Sequence, residues 1–233
     1  MSTTRRFAIV IVVELLFVVA TRFVLHYLPW SSIEAESIRS ALRIATIGIY
    51  WWLFQPIILS RTPSLSAFRS APLLFGLLLF LSIPVLVGHY QLAPSTALLF
   101  AVASVPVAVK EEFLFRGIVQ NLLAQKYGSL KAVLSTSVIF TAWHIGVWEP
   151  TVWVFSQIFF SSILIGTIYI YSGSIVTVIA IHAIYDALFS FTPLISSPLQ
   201  ETWGFVPLIA SVALVAYWAR GCVKAGYGAT VHG

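Results

Sequence analysis

Six ionisable side chains lie within three stretches of sequence that are otherwise strongly apolar. They are Glu111, Glu112, Arg116, His144, His182 and Asp186. Carboxylates and imidazoles are the groups that proteins use to move protons and to ligate metal ions. Because a charge inside an apolar segment is costly, each of these side chains needs a specific partner or task.

The spacing of these residues predicts which of them share a helix face. Glu112 and Arg116 are four residues apart, so they meet on one face of a helix, with the acid N-terminal to the base as such pairs prefer. Glu111 points about 100° away and has no such partner. His182 and Asp186 are also four apart and share a face.

The composition of the whole chain predicts a membrane protein. Of its 233 residues, 59% are hydrophobic and only 9% are charged, with a mean hydropathy of +0.96, whereas soluble domains carry about 25% charged residues. The net charge of +5 does not form a basic stripe, so we expect no nucleic acid partner. The single cysteine, Cys222, excludes an internal disulfide.

The distribution of apolar residues predicts an all-α, polytopic transmembrane bundle of about eight helices. A bilayer core needs about 20 apolar residues per helix. The predicted spans are 7–28, 38–60, 72–90, 96–123, 130–148, 151–171, 174–191 and 203–220. We divide the chain into N-terminal helices at 1–95, a core at 96–192 that carries the six ionisable residues, and a last helix with a short tail at 193–233.

The positions of the basic residues predict the orientation of the bundle. Lysines and arginines concentrate in loops on one side, which places both termini in the cytoplasm. Arg39 and Arg43 fit this rule less well, since they begin the second span on the opposite side. With this orientation, Glu111, His144, His182 and Asp186 lie roughly 12 to 21 Å from the cytoplasmic ends of their helices, at 1.5 Å per residue. Three helices thus bring polar groups to one layer near the middle of the bilayer, so we place the active site among the fourth to seventh spans.

The three motifs Glu111-Glu112-x-x-x-Arg116, Phe140-x-x-x-His144 and His182-x-x-x-Asp186, in this order, resemble a known family. It is the CAAX protease and bacteriocin-processing family of intramembrane endopeptidases, also called Abi, which includes the type II CAAX prenyl endopeptidases. The resemblance covers residues 96–192. It implies hydrolysis of a peptide bond in a membrane-embedded or lipid-anchored protein or peptide, in a bacterial or archaeal cell membrane, in C-terminal processing or sorting of surface proteins.

The resemblance also implies roles for the motif residues. Glu111 is the candidate general base, and Glu112 is expected to be held by Arg116 as a brace. His144 and His182 are expected to orient the attacking water or to stabilise the tetrahedral intermediate. The family usually has asparagine where this chain has Asp186. Asp186 either keeps its proton and donates to the oxyanion, or accepts a hydrogen bond from His182 and fixes its tautomer.

Several alternatives stay open at the level of sequence. We expect no cofactor, but Glu111, His144 and His182 could ligate zinc if the enzyme is metal-dependent. The Glu112–Arg116 pair could be a salt bridge that only packs helices. A proton-coupled transporter would use the same polar layer as a relay, and a non-catalytic bacteriocin-immunity or binding protein would need no base at Glu111.

Overall fold

The computed structural model describes residues 3–30, 32–64, 68, 70–87, 93–147, 151–192 and 198–224. Over these ranges the protein is helical without β-strands, which confirms the predicted fold class. The helices are α1 (Thr3–Tyr27), α2 (Ile33–Ile58), α3 (Ala71–Val87), α4 (Pro94–Glu112), α5 (Asn121–Tyr127), α6 (Ser129–Trp143), α7 (Val152–Ser172), α8 (Ile175–Phe191) and α9 (Pro198–Lys224). The division of the chain at residues 95 and 192, and the cytoplasmic location of both termini, stay predictions.

A π-helical segment, Phe113–Gln120, joins α4 to α5 without a break. Since these three pieces form one continuous rod, the described residues make eight helical rods, the number expected. The sequence predicted an ordinary α-helix here. All eight residues of the π segment are buried, and π-helical geometry is rare and often occurs at functional sites.

Among the residues that the structure describes, four helices are long and apolar enough to cross a membrane. They are α1, α2, α7 and the part of α9 from Thr202 to Lys224. The other apolar helices are shorter, with 17 residues in α3 and α8 and 15 in α6. The predicted fifth span, 130–148, is therefore wrong at its end, because α6 stops at Trp143 and His144 caps it.

Packing of the helices brings the three motifs together. α4 packs along α8 and α2, α6 packs against α7, and α9 contacts both α3 and α7. α1 leaves most of its apolar side chains exposed, among them Leu15, Leu16 and Val19. This is the surface expected of a helix that faces lipid.

The turn between α7 and α8 depends on Gly173. This residue has a left-handed backbone with φ of 66°, which glycine adopts without strain. A Cβ here would lie 2.3 Å from the carbonyl oxygen of Thr62. Ser64 N donates to Ser172 O at 2.7 Å, so the chain after α2 lies directly against this turn.

A buried polar cluster ties α2, α5 and α7 together. Arg61 belongs to the loop after α2, but its side chain turns inward and the residue is only 6% exposed. Arg61 Nε donates to Asn121 Oδ1 at 2.9 Å, and Asn121 Nδ2 contacts the Tyr169 hydroxyl at 2.7 Å. Burial lowers the pKa of the Arg61 guanidinium, and Tyr169 offsets part of this shift.

Arg39 and Arg43, the basic residues that fitted the orientation rule poorly, have a structural explanation. Both form ion pairs with Glu36, a buried residue in the first turn of α2. Arg39 also donates to the carbonyl of Trp30 at 2.7 Å. These arginines are thus held by local partners.

Candidate active site

The end of α4, the π segment and α8 place five of the six predicted residues in one connected cluster. Glu112 and Arg116 form the ion pair expected from their spacing, with 3.2 Å between Arg116 Nε and Glu112 Oε2. Both side chains are fully buried. Arg116 Nη2 also donates to Ser162 Oγ on α7 at 3.1 Å, so the arginine is held from two sides.

His182 on α8 is the centre of the cluster. Its Nδ1 lies 2.7 Å from Glu112 Oε1. Its Nε2 lies 3.3 Å from Asp186 Oδ2 and 3.9 Å from Glu111 Oε2. One imidazole therefore faces three carboxylates, and only the doubly protonated ring can donate from both nitrogens.

Sequence reasoning missed the contact between Glu112 and His182. The two residues are 70 positions apart, and no local pattern links them. The only available signal was the depth argument, which placed both motifs in one layer. It could not say which of the two glutamates the histidine would touch.

Exposure separates the three carboxylates. The side chain of Glu112 is 0% exposed, that of Glu111 is 15% exposed, and that of Asp186 is 34% exposed. Glu112 is enclosed by Arg116 and His182, so it has no access to a reacting molecule. Glu111 and Asp186 line the accessible side of the cluster.

His144 lies beside this cluster and is linked to it through Phe140. The His144 Nδ1 atom is 2.8 Å from the carbonyl oxygen of Phe140. Since a carbonyl only accepts, this bond places a proton on Nδ1 and leaves Nε2 able to accept in the neutral ring. The Phe140 ring lies 4.6 Å from the His144 ring and 6.3 Å from the His182 ring. Arg116 stacks on the same phenyl ring at 4.8 Å.

An apolar groove of about 340 Å³ opens between α6 and α7 next to His144. It is lined by Val138, Thr141, Ala142, Ile145, Phe155 and Phe159. Three of these residues lie within three positions of His144 in the sequence. The groove thus lies at the end of α6 that His144 caps.

The histidine and carboxylate side chains of the described residues do not form an evident metal site. Across the described ranges, no group of three or more histidine, cysteine, aspartate or glutamate side chains is arranged to hold a metal ion. The expected independence of metal stays a prediction.

Comparison with known proteins finds a family that is similar to the segment that carries the three motifs. No curated protein and no solved structure matches the chain. One family model does match, the family described as type II CAAX prenyl endopeptidase Rce1-like, over residues 93–188. This range contains all six predicted site residues, and with the long apolar helices it identifies an integral membrane protein. The resemblance drawn from the three motifs is confirmed, because residues 93–188 match the model of this family of membrane proteases.

Proposed function

We propose that the protein is an intramembrane endopeptidase that hydrolyses a peptide bond with a water molecule activated by Glu111. The observation that carries this proposal is the contact of His182 with Glu112, Asp186 and Glu111 at 2.7, 3.3 and 3.9 Å. A paired, buried carboxylate holds the imidazole, and two accessible carboxylates, Glu111 and Asp186, lie on its other side. This arrangement separates a structural acid from a reactive one.

Glu111 acts as the general base. Its Oε2 lies beyond direct hydrogen-bonding distance of His182 Nε2, so the carboxylate retains the capacity to accept a proton from water. As it does so, the water oxygen forms a bond to the carbonyl carbon of the substrate. The same proton then passes to the amide nitrogen as the carbon–nitrogen bond breaks.

His182 stabilises the oxyanion of the tetrahedral intermediate. Its Nδ1–H is fixed by Glu112, and in the protonated ring Nε2–H is directed to the accessible side of the cluster. A donor aimed in advance at developing negative charge typically contributes 10² to 10³ in rate. Asp186 then accepts from Nε2 in the resting enzyme, and His144 orients the attacking water through its Nε2 lone pair.

The substrate is a membrane-embedded or lipid-anchored protein or peptide. The groove beside His144 is apolar, and it opens between two helices rather than at a polar surface. An apolar segment that lies in this groove would bring its adjoining peptide bond to the polar layer. Processing or sorting of surface proteins, in a bacterial or archaeal cell membrane, fits a substrate of this kind.

The test compares protein termini in cells that carry the native gene with those in cells that carry Glu111→Ala or Glu111→Gln. Mass spectrometry of membrane-protein termini should show a defined set of new termini that both variants lose. Glu34→Gln is the matched control, because Glu34 is an exposed glutamate of α2 and its loss should change nothing. All four proteins must be present at equal abundance in the membrane.

Identical terminal profiles in all four strains, under conditions in which deletion of the gene has a phenotype, would overturn hydrolysis. A binding or immunity protein, or a proton relay in a transporter, would then be the better reading. A binding or immunity protein would keep its function in the Glu111→Ala variant. A transporter that uses Glu111 in a proton relay would lose its function in this variant, without any change in the protein termini.

A further inference from the structure

A second cluster of buried charges lies next to the cluster around His182, and the proposed mechanism does not use it. Lys110, the residue before Glu111, is only 2% exposed, and Glu14 of α1 is 4% exposed. Lys110 Nζ lies 2.7 Å from Glu14 Oε2. The other carboxylate oxygen of Glu14 accepts a hydrogen bond from the hydroxyl of Tyr50, a fully buried residue of α2.

Lys110 also contacts two aromatic rings on different helices. Its ammonium lies 4.1 Å from the centre of the Phe17 ring on α1 and 5.7 Å from that of the Trp143 ring at the end of α6. Both distances are within the range of a cation–π contact. One side chain therefore joins α1, α4 and α6, and α2 joins through Tyr50 and Glu14.

Two of the residues that form these contacts are adjacent in the sequence to residues of the proposed mechanism. Lys110 precedes Glu111, and Trp143 precedes His144. A helix is stiff over one residue, so a rotation or slide of α4 that displaces Lys110 moves Glu111 by the same amount. Separating a buried ion pair leaves an uncompensated charge, which resists any such movement.

We propose that the Glu14–Lys110 pair, with Tyr50, is a positioning device that holds Glu111 and His144 in their working arrangement. Glu14 and Tyr50 lie outside the segment 93–188 that matches the family. Helix α1 thus takes part in the activity of this chain through the ion pair, and α2 takes part through the Tyr50 hydroxyl. The inference rests on the proposed function in that Glu111 is taken as the reacting carboxylate.

The test uses Glu14→Gln, Lys110→Met and the double variant of both. Each single variant leaves one buried charge unpaired, so we expect the Glu111-dependent termini to form at least about tenfold more slowly per folded molecule, since small displacements of reacting groups have effects of this size. The double variant removes both charges and should recover part of the rate. Glu36→Gln is the matched control, because it breaks the buried ion pairs of a different glutamate, in the first turn of α2, and should leave the rate unchanged.

A second readout needs no substrate. ¹⁵N-histidine NMR spectra of the full chain in nanodiscs contain ring signals of His144 and His182. These signals report how the two histidines are arranged in the candidate active site. We expect the His144 signal to shift in both single variants and to stay in place in Glu36→Gln. If the single variants do not fold, Tyr50→Phe keeps both charges and removes only the hydroxyl, and it should still shift His144 measurably.

The outcomes separate the two proposals. Single variants that keep both the rate and the histidine signals of the native protein overturn the positioning role. A loss of stability alone, with full rate per folded molecule and unshifted signals, overturns it as well. If even the native protein forms no Glu111-dependent termini, the proposed function fails, and the NMR signals still decide whether the ion pair positions the layer.

Discussion

Glu112 Oε1 accepts a hydrogen bond from His182 Nδ1 at 2.7 Å, across 70 positions of the sequence. This bond joins the first and the third motif directly. It also settles which end of the imidazole faces the accessible carboxylates, because Nε2 is left on the side of Glu111 and Asp186. A buried anion therefore orients the ring that the mechanism uses.

His182→Gln should lower the rate of terminus formation by about 10² to 10³, the usual cost of losing one oxyanion donor. The substrate concentration at half-maximal rate should change little, because the lost interaction is made in the transition state. His26→Gln is the control, since His26 is exposed. A change confined to substrate affinity would contradict the oxyanion role.

Asp186→Asn should keep the rate within the same order of magnitude. The amide oxygen can accept from His182 Nε2 as the carboxylate does, and the amide nitrogen can donate to an oxyanion. Asp186→Leu offers neither and should be clearly slower. Time courses of terminus formation measure both variants, and equal rates for them would mean that Asp186 has no part in orienting His182.

Arg116→Met should destabilise the protein by roughly 3 to 5 kcal/mol, the range for breaking a buried ion pair by removing one partner. Glu112 would be left buried with its charge uncompensated on that side. Lys131→Met, at an exposed position of α6, should change stability by less than about 0.5 kcal/mol. Unfolding in detergent monitors both, and equal effects would show that the Glu112–Arg116 pair contributes little.

Gly173→Ala should destabilise the turn between α7 and α8 by more than the roughly 1 to 3 kcal/mol of backbone strain alone, because the new Cβ would also meet Thr62 O. Gly48→Ala provides the contrast. Its Cβ would meet nothing within 4 Å, and alanine in a helix is favoured by roughly 0.5 to 1 kcal/mol over glycine. Thermal unfolding should move in opposite directions for the two variants.

The sequence predicted the parts of this structure that depend on local pattern. Hydrophobic runs predicted the helical class and the number of rods, and the i,i+4 spacing predicted the Glu112–Arg116 and His182–Asp186 contacts. Glu14, a charged residue in the apolar first span, finds partners on two other helices, Tyr50 and Lys110. These predictions need only helical geometry and the cost of an unpaired charge.

The remaining features depend on tertiary packing. The π segment has no sequence signal, because its backbone geometry is stabilised by neighbours that bury all eight of its residues. The inward turn of Arg61 requires Asn121 and Tyr169 to be already in place. Likewise, hydropathy could not detect the early end of α6, since Ile145, Val147 and Trp148, which follow His144, are apolar.

The short length of α6 has a consequence for the surrounding lipid. Its 15 residues extend about 22 Å, whereas the hydrocarbon core of a bilayer is about 30 Å thick. This hydrophobic mismatch is relieved when the bilayer thins next to the helix. His144, which caps α6, would then lie nearer to the headgroups than the position in the middle of the bilayer that the sequence predicts.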